Sequence, residues 1–169
     1  MAADIASGIF DNLGLSMSLL IDVSDPRDPE MTKLLQAHLD FCMSVTPPEN
    51  VYALDVEKLL SPDITVFGAR LDGKLVGVGA LRQLDSTHAE LKSMHTSKSA
   101  RGAGVGRSMV AHILDFAKGQ GSTRVSLETG NFAAFEPARN LYASFGFVVC
   151  DVFGDYSPSP ISVCMTKYI

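Results

Sequence analysis

The chain has 169 residues, 46% of them hydrophobic and 20% charged, and a net charge of −5. That length supports one domain with a proper core, and the balance is that of an ordinary globular protein. The acidic balance argues against nucleic acid as the main partner and weakly favours a cationic amine substrate.

Residues 1–15 read as either a tail or a short helix packed on the body. They carry Asp4 and Asp11 and no basic segment, so they are not a secretory signal. The longest apolar run nearby, Asn12 to Ile21, is too short to span a bilayer, so no membrane is expected and the location is cytoplasmic. Cys42, Cys150 and Cys164 are odd in number and lack metal-like spacing, which reads as reduced thiols in a reducing compartment. His38, His88, His95 and His112 form no ligand cluster, so no metal site is expected.

Ser16 to Val23 reads as a strand. Asp28-Pro29-Glu30 then signals a helix start, with proline in the first turn and acids at its positive end. Met31, Leu34, Leu35, His38, Leu39, Cys42 and Val45 keep helical spacing, and His38 reads as a core-edge histidine. Thr46-Pro47-Pro48 breaks that helix, and Glu49 to Leu60 follows as a short helix or loop-helix segment. Ile64 to Leu71 and Lys74 to Leu84 are strands joined at the hairpin signal Asp72-Gly73. Gly77 and Gly79 thin one face of the second strand, which suits a close approach or a bulge. A third antiparallel strand runs to Thr96.

From Glu90 to Gly106, ELKSMHTSKSARGAGVG, the chain passes from that strand through a small, polar, glycine-rich loop into a helix. Met109, Val110, Ile113, Leu114 and Ala117 lie on one face of the helix, which Gly119-Gln120-Gly121 stops. Glycines let successive N–H groups turn into one concavity, and a helix N-terminus favours an anion, so a phosphate-bearing ligand is expected. Neither the Walker pattern nor the dinucleotide G-x-G-x-x-G is present, which disfavours a generic nucleotide-binding domain. Val125 to Glu128 is the next strand. Asn131 to Glu136 leads into a helix with Pro137 in its first turn and Gly146 after its end. Phe147 to Phe153 and Ser162 to Lys167 are the closing strands. The order β–α–α–β–β–β–α–β–α–β–β implies an α+β (mixed α/β) sheet domain covering 1–169.

Arg101-Gly102-Ala103-Gly104-Val105-Gly106 resembles the R/Q-x-x-G-x-G/A pattern of the GNAT acetyltransferases, and Ala138 to Phe147, ARNLYASFGF, resembles their second signature. Glu90-Leu91-Lys92 and Phe153-Gly154-Asp155-Tyr156 are further similar to a subgroup of small bacterial GNAT proteins. The resemblance covers Ile64 to Ile169 well and the first 60 residues in outline. It implies a central twisted, mostly antiparallel sheet of about seven strands flanked by about four helices. It implies acetyl-CoA as co-substrate and, as acceptor, a primary amine of a small molecule or a peptide. A homodimer is the assembly common in the family.

By the same resemblance, the backbone of Met94 and Thr96 binds the pantetheine arm. Arg101, Gly102, Ala103, Gly104, Val105, Gly106 and Arg107 cradle the pyrophosphate. Tyr142 matches the family tyrosine near the cofactor sulfur, suited by its phenol to act as general acid. Glu90 matches a position used to deprotonate the amine, with Glu128 a weaker candidate. Glu49, Tyr52 and Asp55 fall in the region that lines the acceptor groove. No Ser–His–Asp or Cys–His arrangement is visible, which favours direct transfer in a ternary complex. The chain departs from the family at Phe135, where many members carry asparagine; Asn131 lies four residues earlier. A non-catalytic acyl-CoA sensing module is the competing reading.

Overall fold

Asp72 and Gly73 both take positive φ, 48° and 82°, and so turn β3 (Ile64–Leu71) tightly into β4 (Lys74–Gln83). This hairpin lies near the middle of an eight-stranded sheet of order β1-β2-β3-β4-β5-β6-β8-β7. The computed structural model describes residues 7–10 and 16–169. β2 (Ser16–Val23) pairs antiparallel with β3, as its sequence predicts. β1 (Ser7–Phe10) adds an eighth strand along β2, where a tail or helix was expected. Pairing with the open edge of β2 satisfies its backbone groups, a tertiary effect that overrides weak local propensity.

β5 (His88–Thr96) pairs antiparallel with β4, and β6 (Arg124–Gly130) runs parallel to β5. β8 (Ser162–Tyr168) pairs antiparallel with both β6 and β7 (Val148–Cys150). β7 is shorter than the expected Phe147 to Phe153. Phe153 instead leaves the sheet to pack against His88 and Tyr156, with ring centroids 5.7 Å and 5.2 Å away.

Helices cover both faces of the sheet. α1 (Pro29–Val45) buries Met31, Leu34 and Leu35 against Val66, Leu75, Val78 and Ala80. α3 (Val105–Gly119) buries Met109, Val110 and Ile113 in the larger core with Phe67, Leu81 and Leu91. Each such side chain contributes roughly 1.5–3 kcal/mol when fully buried. A Cβ on Gly79 would lie 2.8 Å from Ile113 Cδ1 and from Met94 Sδ, so α3 and Met94 press directly on β4 there. A register shift lies between Val78 and Ala80, opposite Ser93, whose φ is 54°. The bulge reading of the paired glycines therefore holds, while the close approach comes from side chains of α3 and Met94 rather than from backbone or a ligand.

The segment from Glu49 to Leu60 is a 3-10 turn (Pro48–Asn50), an extended stretch and the one-turn helix α2 (Val56–Leu59). Asp55 caps that turn by accepting from Lys58 N at 2.9 Å. α4 (Glu136–Ser144) has Pro137 in its first turn and ends at Gly146, whose φ of 87° suits glycine. Among the described residues no helix is long and apolar enough to cross a membrane.

Candidate active site

β5 and β6 pair only from His88 to Glu90 against Arg124 to Ser126. Beyond that point the strands part, so β5 presents unpaired backbone groups along its inner edge. A cavity of about 650 Å³ opens between them, lined by Leu91 to Thr96 on one side and Glu128 to Gly130 on the other. Its size suits a small-molecule ligand.

At one end lies the glycine-rich loop. Gly102 and Gly104 take φ of 82° and 80°, and Gly104 leads directly into α3. The helix therefore starts two residues before Arg107, because a left-handed residue at Gly104 turns the loop into the helical direction. The N–H groups of Val105, Gly106 and Arg107 occupy its first turn, where an α-helix has no internal acceptors. They face the cavity lining together with Arg101, Gly102 and Gly104. Arg101 Nε donates to Thr96 O at 3.4 Å, and Arg107 reaches Ser144 Oγ at 3.2 Å while stacking on Phe145. Both are exposed. Ala103 does not line the cavity, which corrects its place in the expected cradle: its N–H turns back to Ala100 O at 3.3 Å.

Met94 and Thr96 both line the cavity. Ser93 Oγ beside them is buried without a hydrogen-bond partner. Tyr142, 6% exposed, is brought to the cavity wall by α4, and burial holds its phenol well above the usual tyrosine range. It is protonated at neutral pH.

The fold places Glu90 away from the cavity wall. Glu90 is only 2% exposed and does not line the cavity. It accepts from Lys92 Nζ at 2.9 Å and from the Tyr156 hydroxyl, while Lys92 also donates to Tyr156 Oη at 2.7 Å. Its charge is thus consumed in a buried network. Glu128, the weaker candidate from sequence, lines the cavity instead. Burial pushes its carboxyl up to about 7, against lowering by Ser162 and Lys92 and further raising by Glu90. A carboxylate poised near neutrality is suited to taking a proton.

α1 delivers His38, Phe41 and Cys42 to the other end of the cavity. His38 is thus a wall residue as well as a core-edge one. Its rings lie 5.4 Å from His95, and Cys42 Sγ is 3.8 Å from its Nε2. Burial, then the proximity of His95, lowers the His38 imidazole to about 4, and burial raises the Cys42 thiol to about 11. A neutral thiol is a poor nucleophile, which disfavours an acetyl-enzyme through Cys42. Tyr52 reaches the wall, whereas Glu49 and Asp55 do not. Phe135 lies across Gly130, filling the space a side chain there would take. Asn131 turns away from the cavity, its Nδ2 3.5 Å from Pro160 O, and does not stand in for the family asparagine. No metal-ligating cluster occurs among the described residues.

Residues 31–147 match the model of the acetyltransferase (GNAT) family. The chain belongs to that family. This acetyltransferase is 45% identical over 147 residues to the N-acetyltransferase YsnE of Bacillus subtilis, covering 87% of the chain and 97% of the relative. It is 38% identical over 142 residues to the N-acetyltransferase YedL of Escherichia coli, covering 84% and 89% respectively. Among solved structures, a GNAT family acetyltransferase from Elizabethkingia anophelis with acetyl-CoA bound superposes with a TM-score of 0.67 at 15% identity. The match covers 89% of this chain and 98% of that one.

The cavity is also lined by residues outside the two main signatures. Lys92, Tyr156, Phe41 and Phe135 line the cavity from four separate segments. The Glu90-Leu91-Lys92 and Phe153-Gly154-Asp155-Tyr156 stretches carried a signal for Lys92 and Tyr156, and Phe135 stood out as a departure from the family; nothing local marked Phe41.

Proposed function

We propose that this acetyltransferase moves the acetyl group of acetyl-CoA to a primary amine of a small molecule or peptide by direct attack in a ternary complex. The observation that carries this reading is the gap between β5 and β6. It ends at the glycine loop on one side and at Glu128 on the other. The related fold solved with acetyl-CoA supports the choice of donor.

Backbone N–H groups at Gly104 to Arg107 and the positive end of α3 would hold the pyrophosphate, and the open edge at Met94 to Thr96 the pantetheine arm. Orientation of the two reactants saves roughly 7–11 kcal/mol of barrier in the best intramolecular cases. Glu128 takes one proton from the bound ammonium, directly or through water, and the neutral amine attacks. The nitrogen forms its bond to the thioester carbon as the C–S bond breaks. Tyr142 gives its phenol proton to the departing thiolate and is reprotonated through water by the second proton that nitrogen loses, while Glu128 releases the first to solvent. Glu90 acts at one remove, as a positioning residue for Lys92 and Tyr156.

The test is thiol release from acetyl-CoA against amines, amino acids, polyamines and peptides, with acetyl-CoA binding followed by calorimetry. Release dependent on an amine, reduced in Tyr142→Phe and Glu128→Gln, is the expected result. Tight binding with no release from any acceptor would favour a sensing module and sink the proposal.

A further inference from the structure

The acceptor end of the cavity has an unusual balance of charge and rings. Glu128 is the one carboxylate lining it among the described residues. Lys92, which also lines the cavity, is already paired with Glu90 and only 9% exposed. His38 and His95 are both held below the usual histidine range by burial, and so are neutral at pH 7. The site thus has room for one positive charge. A second ammonium would sit in a low-dielectric wall beside Lys92 with no anion to meet it.

The apolar wall is aromatic. Phe41 on α1 meets Phe135 edge-on at 5.5 Å, and Tyr52 on the connector meets Tyr156 edge-on at 5.0 Å. All four line the cavity. Glu128 lines the same cavity as both aromatic pairs. Rings held edge-on to one another leave faces and edges on which a flat π-system gains more than an alkyl chain, by a few-fold to about tenfold in affinity.

The geometry points to a monoamine carried on an aromatic body, an arylalkylamine, as the acceptor class. The inference rests on the acetyl-transfer reading above. The amine lies at Glu128 and the ring against Phe41, Phe135 and Tyr52. Polyamines, which need several carboxylates, are excluded by charge, and aliphatic amines are weaker by the loss of ring contact.

The experiment compares kcat/KM for 2-phenylethylamine and tryptamine with butylamine, spermidine and a short unblocked peptide, at fixed acetyl-CoA. Arylalkylamines should exceed butylamine by about tenfold and spermidine by more. Tyr52→Leu and Phe135→Leu should each reduce the arylalkylamine-to-butylamine ratio severalfold, through KM, with acetyl-CoA affinity by calorimetry unchanged. Two separate rings keep the test valid if Phe135→Leu fails to fold. Preference for spermidine, butylamine or the peptide, or a ratio untouched by both substitutions, would overturn the aromatic class while leaving the transferase standing. Absence of both thiol release and acetyl-CoA binding would bring down the transferase reading itself.

Discussion

The two ends of the cavity are built by different means. At the glycine loop the chemistry is backbone: positive-φ glycines, the first turn of α3 and the unpaired edge of β5. At the opposite end it is side-chain chemistry, assembled from α1, the connector, β6 and the loop before β8. A backbone site is specified by a short run of residues in order. A side-chain site depends on which distant segments meet, so it tolerates sequence change and can be refitted to a new acceptor while the donor end stays intact.

The sharpest way to break the comparison is Glu128→Gln. It should lower kcat roughly 10²–10⁴-fold, the usual range for a lost general base, with acetyl-CoA affinity preserved. In the wild type the rate should climb as pH rises through about 7, as the Glu128 carboxyl ionises, and the variant should lose that limb. Its stability should move oppositely. Folding raises this carboxyl from its ordinary value of 4.5 to about 7, so Glu128 costs stability increasingly between pH 4.5 and 7 and fully above. Urea unfolding at pH 8 should therefore find Glu128→Gln more stable than wild type, by up to a few kcal/mol. An unchanged pH–rate profile would move the base elsewhere.

Next in size is Lys92→Met, which leaves Glu90 buried with Tyr156 as its partner. Breaking such a buried pair costs about 3–5 kcal/mol, and denaturant unfolding should register the loss. Glu90→Gln keeps the shape and should fall well short of the kcat loss in Glu128→Gln; an equal loss would restore Glu90 as the base.

At the donor end the effects are smaller and act on binding. Gly104→Val places a branched residue at φ of 80°, a strain of roughly 1–2 kcal/mol. Acetyl-CoA affinity should drop about tenfold by calorimetry, with acceptor preference unaltered. Arg101→Ala should weaken it only a few-fold, and less at high salt, because the side chain is exposed and its charge screened.

Much of the framework was written in local patterns. The Asp72-Gly73 turn and the proline at the head of α1 each act over a few residues, and each lies where its chemistry demands. The start of α3 at Val105 and the shortness of β7 were harder to see. One depends on the φ of a single glycine, the other on Phe153 finding a better place against His88 than in the sheet.

The site divides along the same line. The sequence by itself determined the family signatures, and it named the glycine loop and Tyr142, which the fold brings to the cavity wall, because a contiguous stretch specifies short-range geometry. It ranked Glu90 above Glu128, since both occupy strand positions with similar local surroundings. Only the tertiary structure separates their surroundings. Tyr156, 66 residues further along, and Lys92 take up the charge of Glu90. The parting of β5 from β6 leaves Glu128 on the cavity wall, where burial brings its proton affinity near neutrality. Proton affinity is set by the whole surrounding volume, and that volume exists only once the chain has folded.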